Sequence, residues 1–133
     1  MEWRGIRFYR VEAECKSDAR FSSIGVSLDI TGMEKTGEDE LRITFAYRTE
    51  YRPGIASIRF DGLLLVGGKK AELDGVLSRW NKEKMLPKEM FETLVNLIKY
   101  NAEANGVLVA KALSIAPPVV APKIQVMPRA GRR

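Results

Sequence analysis

Between Leu41 and Gly67 the sequence alternates so regularly that it fixes both the kind of structure and its register. The arm L-R-I-T-F-A-Y-R-T-E-Y places Leu41, Ile43, Phe45, Tyr47 and Tyr51 on one side and Arg42, Thr44, Arg48 and Glu50 on the other. This period of two is that of a half-buried β-strand. The second arm, Ala56 to Gly67, repeats it. Pro53 and Gly54 between the arms suit the centre of a type II turn, where proline presets φ and glycine accepts a positive one. With Arg52 and Ile55 flanking that turn, Tyr47 falls opposite Phe60, Ile43 opposite Leu64 and Leu41 opposite Val66, while Phe45 covers Gly62. A slip of one residue would break every apolar pair together, so the register is strongly specified.

Two further strands precede the hairpin. In Gly5 to Glu14, Ile6 and Phe8 alternate with Arg7 and Tyr9 until the phase shifts at Val11, which points to a bulge or bend. In Phe21 to Thr31, Ile24, Val26, Leu28 and Ile30 form one apolar face, suited to antiparallel pairing with the odd-numbered face of the next strand. Thr31 to Glu40, with two glycines and four acids, reads as a polar hairpin loop. After Gly67-Gly68 the period lengthens to about 3.6, and Leu73, Val76, Leu77 and Trp80 mark an amphipathic helix over Lys70–Glu83. Leu86-Pro87 restarts the chain, with Pro87 at a first helical position and Glu89 near the positive end of the new helix. From Met90 to Leu113 apolar residues keep helical spacing, and Leu108 falls within that pattern. Gly106 lies inside it and marks either a bend or a close neighbour. Beyond Ser114 four prolines impose an extended, polyproline-like path, and the chain closes on a basic, flexible segment, 128–133.

The expected fold class is therefore α+β. A four-stranded antiparallel sheet is followed by two helices, with an extended Pro-rich C-terminal tail, in a single domain over 1–127. A chain of 133 residues is long enough to bury about two thirds of its unfolded surface. No apolar run reaches the roughly 20 residues of a membrane span, and no signal-peptide core is visible, so a cytoplasmic setting is expected.

Histidine is absent and Cys15 is the single cysteine. The commonest general base, the usual partner of a Ser or Cys nucleophile and the usual zinc ligands are thereby missing. The densest acidic group, Glu38-Asp39-Glu40, lacks the second cluster that carboxylate chemistry would need. No catalytic residue, metal site or cofactor is expected, and an enzyme is the least favoured class.

The order of parts, and in particular Y-R-P-G-I-A-S-I-R-F-D-G at Tyr51–Gly62, Leu86-Pro87 and the helix-to-proline exit at Ala110–Pro122, resembles the SecB-like proteins of archaea, relatives of the bacterial export chaperone SecB. The likeness extends over about Arg42 to Lys123. It implies dimers or tetramers that hold non-native polypeptide clients in hydrophobic grooves, without nucleotide or catalysis. One departure matters. Bacterial SecB meets the export motor SecA through acidic surface, whereas this chain has a net charge of +5.

A holdase needs exposed apolar side chains that repack around varied partners. Phe45, Tyr47, Phe60 and Trp80 fit the core. Tyr9, Phe21 and Tyr51, near strand ends, and Met85 and Met90, flanking the Leu86-Pro87 junction, are the candidate client-binding residues. The competing class is nucleic-acid binding. Arg48 opposite Arg59, with Arg42 and Arg52 nearby, would form a basic sheet face, although Glu50 and Asp61 share it. A structural or adaptor oligomer pairing through a sheet edge is the third reading.

Overall fold

A computed structural model describes residues 1–117. The strands are β1 (Glu2–Cys15), β2 (Ser23–Gly37), β3 (Glu40–Arg52) and β4 (Ala56–Gly67), followed by the helices α1 (Lys70–Glu83) and α2 (Lys88–Ala112). They form one antiparallel sheet in the order β1-β4-β3-β2. Both helices pack on the face that carries Leu41, Ile43, Phe45, Ile58, Phe60 and Leu64, and Leu73 of α1 and Leu94 and Ile98 of α2 complete the same core. Each fully buried side chain of this kind contributes roughly 1.5–3 kcal/mol.

The β3–β4 register is the one dictated by the alternation: Leu41 pairs with Val66, Ile43 with Leu64, Phe45 with Gly62 and Tyr47 with Phe60. Gly62 is held by close approach. A Cβ there would lie 2.5 Å from the Arg7 carbonyl oxygen and 2.7 Å from the Phe45 ring. Phe8 fills the space beside it, 6.0 Å from Phe45 edge-on and 4.9 Å from Phe60 between ring centroids. The turn itself differs from a type II turn. The Arg52-Pro53 peptide is cis, and the Ile55 N–H donates to Tyr51 O at 2.9 Å. The Arg52 carbonyl that a type II turn would use instead accepts the Ser22 N–H at 2.7 Å, a partner supplied by a distant part of the chain.

Both outer strands run longer than the alternation suggested. The phase shift in β1 is a register irregularity between Phe8 and Arg10, and a second one between Trp3 and Gly5 carries the strand back to Glu2. In β2, an irregularity between Ile30 and Gly32 switches the parity, so that Met33 pairs with Ile43 and Lys35 with Leu41. The expected polar loop is consequently strand as far as Gly37, and Glu38 and Asp39 alone turn the chain. Lys35 now lies on the helix face, where its ammonium meets Asp74 of α1 at 2.7 Å.

Helix α1 has the bounds that its periodicity requires and buries Leu73 and Val76. Helix α2 is continuous, with Pro87 as the residue before its first turn. Its buried row is Met90, Leu94, Ile98, Ala102, Gly106 and Ala110. Such an i, i+4 row winds about the axis, so the helix lies obliquely on the sheet. The side chains shrink along it, and Gly106 serves close packing rather than a break. Leu108, which the spacing had placed inward, is exposed because the row has rotated past it. The Pro-rich segment and the basic 128–133 stretch fall outside the described residues, apart from the start of the exit at Ile115, which packs on the core.

Candidate functional site

Two concave regions lie near opposite ends of α2, a helix roughly 37 Å long. The first, of about 610 Å³, lies between the β1–β2 connection, the β3–β4 turn and the residues that follow α2. Here Phe21 stands edge-on to Tyr51, with ring centroids 5.1 Å apart. The Tyr51 hydroxyl donates to the Ala116 carbonyl, which pins the chain leaving α2 to the end of the hairpin. Tyr51 is 1% exposed, and burial pushes its hydroxyl above the usual pKa. Tyr51 is thus engaged by its own neighbours, while Phe21 stays exposed on the wall of the concavity.

The second region, of about 530 Å³, lies between β2 and the α1–α2 junction. Leu28 and Ile30 form one wall, Trp80, Met85 and Phe91 the other, and Leu86 the floor. Local sequence explains why these side chains stay uncovered. Lys84 caps α1 in the left-handed conformation (φ 56°), and Pro87 fixes the entry to α2. The linker is therefore too short and too sharply turned to fold back over the groove. Leu86 points inward and is buried, whereas Met85 is 52% and Phe91 45% exposed. Beside them, β2 is an edge strand, so among the described residues its outer row of backbone N–H and C=O groups has no strand partner. Lys84 Nζ stands 5.2 Å from the centroid of the Trp80 ring, a cation–π contact that holds an ammonium at the mouth.

The residues singled out in the sequence are thus distributed. Phe21 and Tyr51 meet in the first region and Met85 lines the second. Met90, 7% exposed, belongs to the core. Tyr9 is exposed at the β1 irregularity and lines neither region. The alternation of β2 marked Leu28 and Ile30 only as strand, and Trp80 fitted the core. Their meeting with Phe91 follows from the placement of α2, which no local pattern encodes. The nearest signal was the pair of methionines around Leu86-Pro87.

On the uncovered face of the sheet, Arg48 and Arg59 do stand opposite one another. Arg59 Nε bonds Asp61 Oδ1 at 3.0 Å, while Arg10 reaches Asp61 Oδ2 at 3.2 Å. Arg42 is paired with Glu34, and the Arg52 guanidinium lies across Gly25. The shallow depression around Arg48 and Arg59 also holds Glu12, Glu14 and Glu50. Three carboxylates against two guanidinium groups make that depression a poor match for a polyanion. Among the described residues no cluster of three His, Cys, Asp or Glu is placed to hold a metal, and no helix is long and apolar enough to cross a membrane.

A four-stranded antiparallel sheet followed by two helices is a SecB-like fold. Among solved structures, the Mycobacterium tuberculosis Rv1957 SecB-like chaperone, in complex with a ChAD peptide from the Rv1956 HigA1 antitoxin, matches with a TM-score of 0.56 and 10% sequence identity, over 90% of this chain and 85% of that one. At that identity the likeness is one of fold. No protein-family description and no curated protein matches the chain by sequence.

Proposed function

We propose that the protein is a SecB-like chaperone that holds non-native polypeptides in the groove between β2 and the α1–α2 junction. The observation that carries this reading is the pairing of exposed, adaptable apolar side chains, Met85 and Phe91, with the free edge of β2. An extended segment laid along that edge would bond through its backbone, which reads no sequence, while the apolar walls accept varied side chains. This is the sequence tolerance that a holdase needs. The fold shared with a SecB-like chaperone supports the same reading.

A groove of roughly 400 Å² at about 25 cal/mol/Å² offers on the order of 10 kcal/mol before the cost of ordering the client is subtracted. One groove therefore binds weakly, and several on one assembly would gain through effective concentration. Assembly into a homo-oligomer is part of the proposal, and the outer side of α2, with Tyr100 and Leu108 exposed, is the surface offered to another copy. A cytoplasmic setting belongs to the same proposal, as do a role in export and an archaeal affiliation, which the sequence resemblance supports.

The test is a fluorescence-anisotropy titration of a labelled, permanently unfolded polypeptide, repeated from low to high salt. Binding that survives high salt is expected of apolar walls. Binding abolished by salt would overturn the proposal and favour the arginine-bearing face, since the affinity of binding driven by counterion release falls steeply with salt.

A further inference from the structure

The charges around the open groove are nearly of one sign. Its lining includes Arg79, Lys84 and Lys88 against a single acid, Asp29. Asp29 pairs with Ala46, on the opposite face of the sheet from Leu28 and Ile30, so by strand alternation its carboxylate leaves toward the uncovered side. Arg79 is engaged with Glu83 at 3.4 Å. Lys84 and Lys88 have no carboxylate partner among the described residues. Lys88 also opens α2, whose first turn receives no side-chain cap and has its positive end offset by Glu89, so the rim charge is that of the lysines. Glu89 follows in the chain but does not line the groove.

We infer that this groove selects extended apolar segments flanked by aspartate or glutamate, and disfavours those flanked by lysine or arginine. The inference rests on the client-holding reading and adds to it a rule for which segments are held. The apolar walls supply sequence-tolerant contact, and the rim lysines supply discrimination. Charge complementarity at an interface acts mainly on specificity and encounter rate in this way. Because the lysines are exposed, each is worth about a two- to fivefold change in affinity, and the pair about tenfold.

Three labelled peptides with one shared apolar core decide the matter, flanked respectively by acidic residues, by basic residues and by serine. By anisotropy at low salt the acidic peptide is expected to bind about tenfold more tightly than the basic one. The gap should close as salt is added, while the serine peptide changes little. Lys84→Glu with Lys88→Glu should reverse the order, whereas Arg48→Glu with Lys111→Glu, which changes net charge equally but outside the groove, should preserve it. Equal binding of all three peptides, tighter binding of the basic one, or the same order in the groove variant would overturn the inference and leave the client-holding reading intact. Failure of all three to bind a folded protein would remove that reading, and the inference with it.

Discussion

Two clusters of large apolar side chains in this protein share a composition and differ in fate. Around Gly62, Phe8, Phe45 and Phe60 close on one another, and the backbone of β1 leaves no room even for a methyl group. At the α1–α2 junction, Trp80, Met85 and Phe91 stand around a concavity beside a strand edge that has no strand partner among the described residues. The first cluster is held between three paired strands, with Phe45 and Phe60 fully buried. The second faces a linker too short to cover it. What lies opposite a residue, more than its type, divides the fold-holding part of the molecule from the part available to a partner.

Truncation should separate the clusters cleanly. Phe45→Ala removes a fully buried ring and is expected to destabilise the fold by about 3–5 kcal/mol, measured by urea denaturation. Met85→Ser combined with Phe91→Ser should leave the denaturation midpoint nearly unchanged yet weaken unfolded-polypeptide binding at least about tenfold, since each side chain offers roughly 1.5 kcal/mol or more on burial. If the second pair destabilises as the first does, the groove is simply a rim of the core.

A smaller effect comes from Tyr47, whose hydroxyl is pushed up to about 12 by burial and then by the nearby charge of Glu103. Between the unfolded value of 10.0 and about 12 the unfolded chain releases this proton while the folded one retains it. Tyr47 therefore favours folding below pH 10.0, and that contribution is lost as pH rises through about 12. Tyr47→Phe should show a shallower alkaline decline in denaturation midpoint than the parent protein. The smallest effect is expected at Asp74, held below its usual pKa of 3.8 by hydrogen bonds from Lys35 and then Lys70. Its contribution is present above 3.8 and is lost as pH falls through the lower folded value. Asp74→Asn should cost a little stability at neutral pH, with the difference vanishing in acid.

The β3–β4 part of the closed cluster was legible in the sequence because alternation and the facing of Phe45 with Gly62 are local and over-determined. The bounds of α1 were legible for the same reason, since Leu73, Val76, Leu77 and Trp80 repeat at helical spacing. Three features were not. The β3–β4 turn depends on Ser22, which captures the Arg52 carbonyl from a segment far along the chain. The length of β2 depends on a parity switch after Ile30 that carries Met33 to the apolar face, a change the composition of a Gly- and acid-rich stretch conceals. The open groove depends on where α2 comes to rest. Met85 and Met90 looked equivalent around Leu86-Pro87, yet the start of α2 turns one outward and the other into the core.

The most direct test of the central claim is hydrogen–deuterium exchange of the protein with and without a permanently unfolded polypeptide. A client held between β2 and the α1–α2 junction should slow exchange at Leu28–Ile30 on the edge strand and across Arg79–Phe91. Protection confined to the face bearing Arg42, Arg48 and Arg59, with the β2 edge unchanged, would contradict the account.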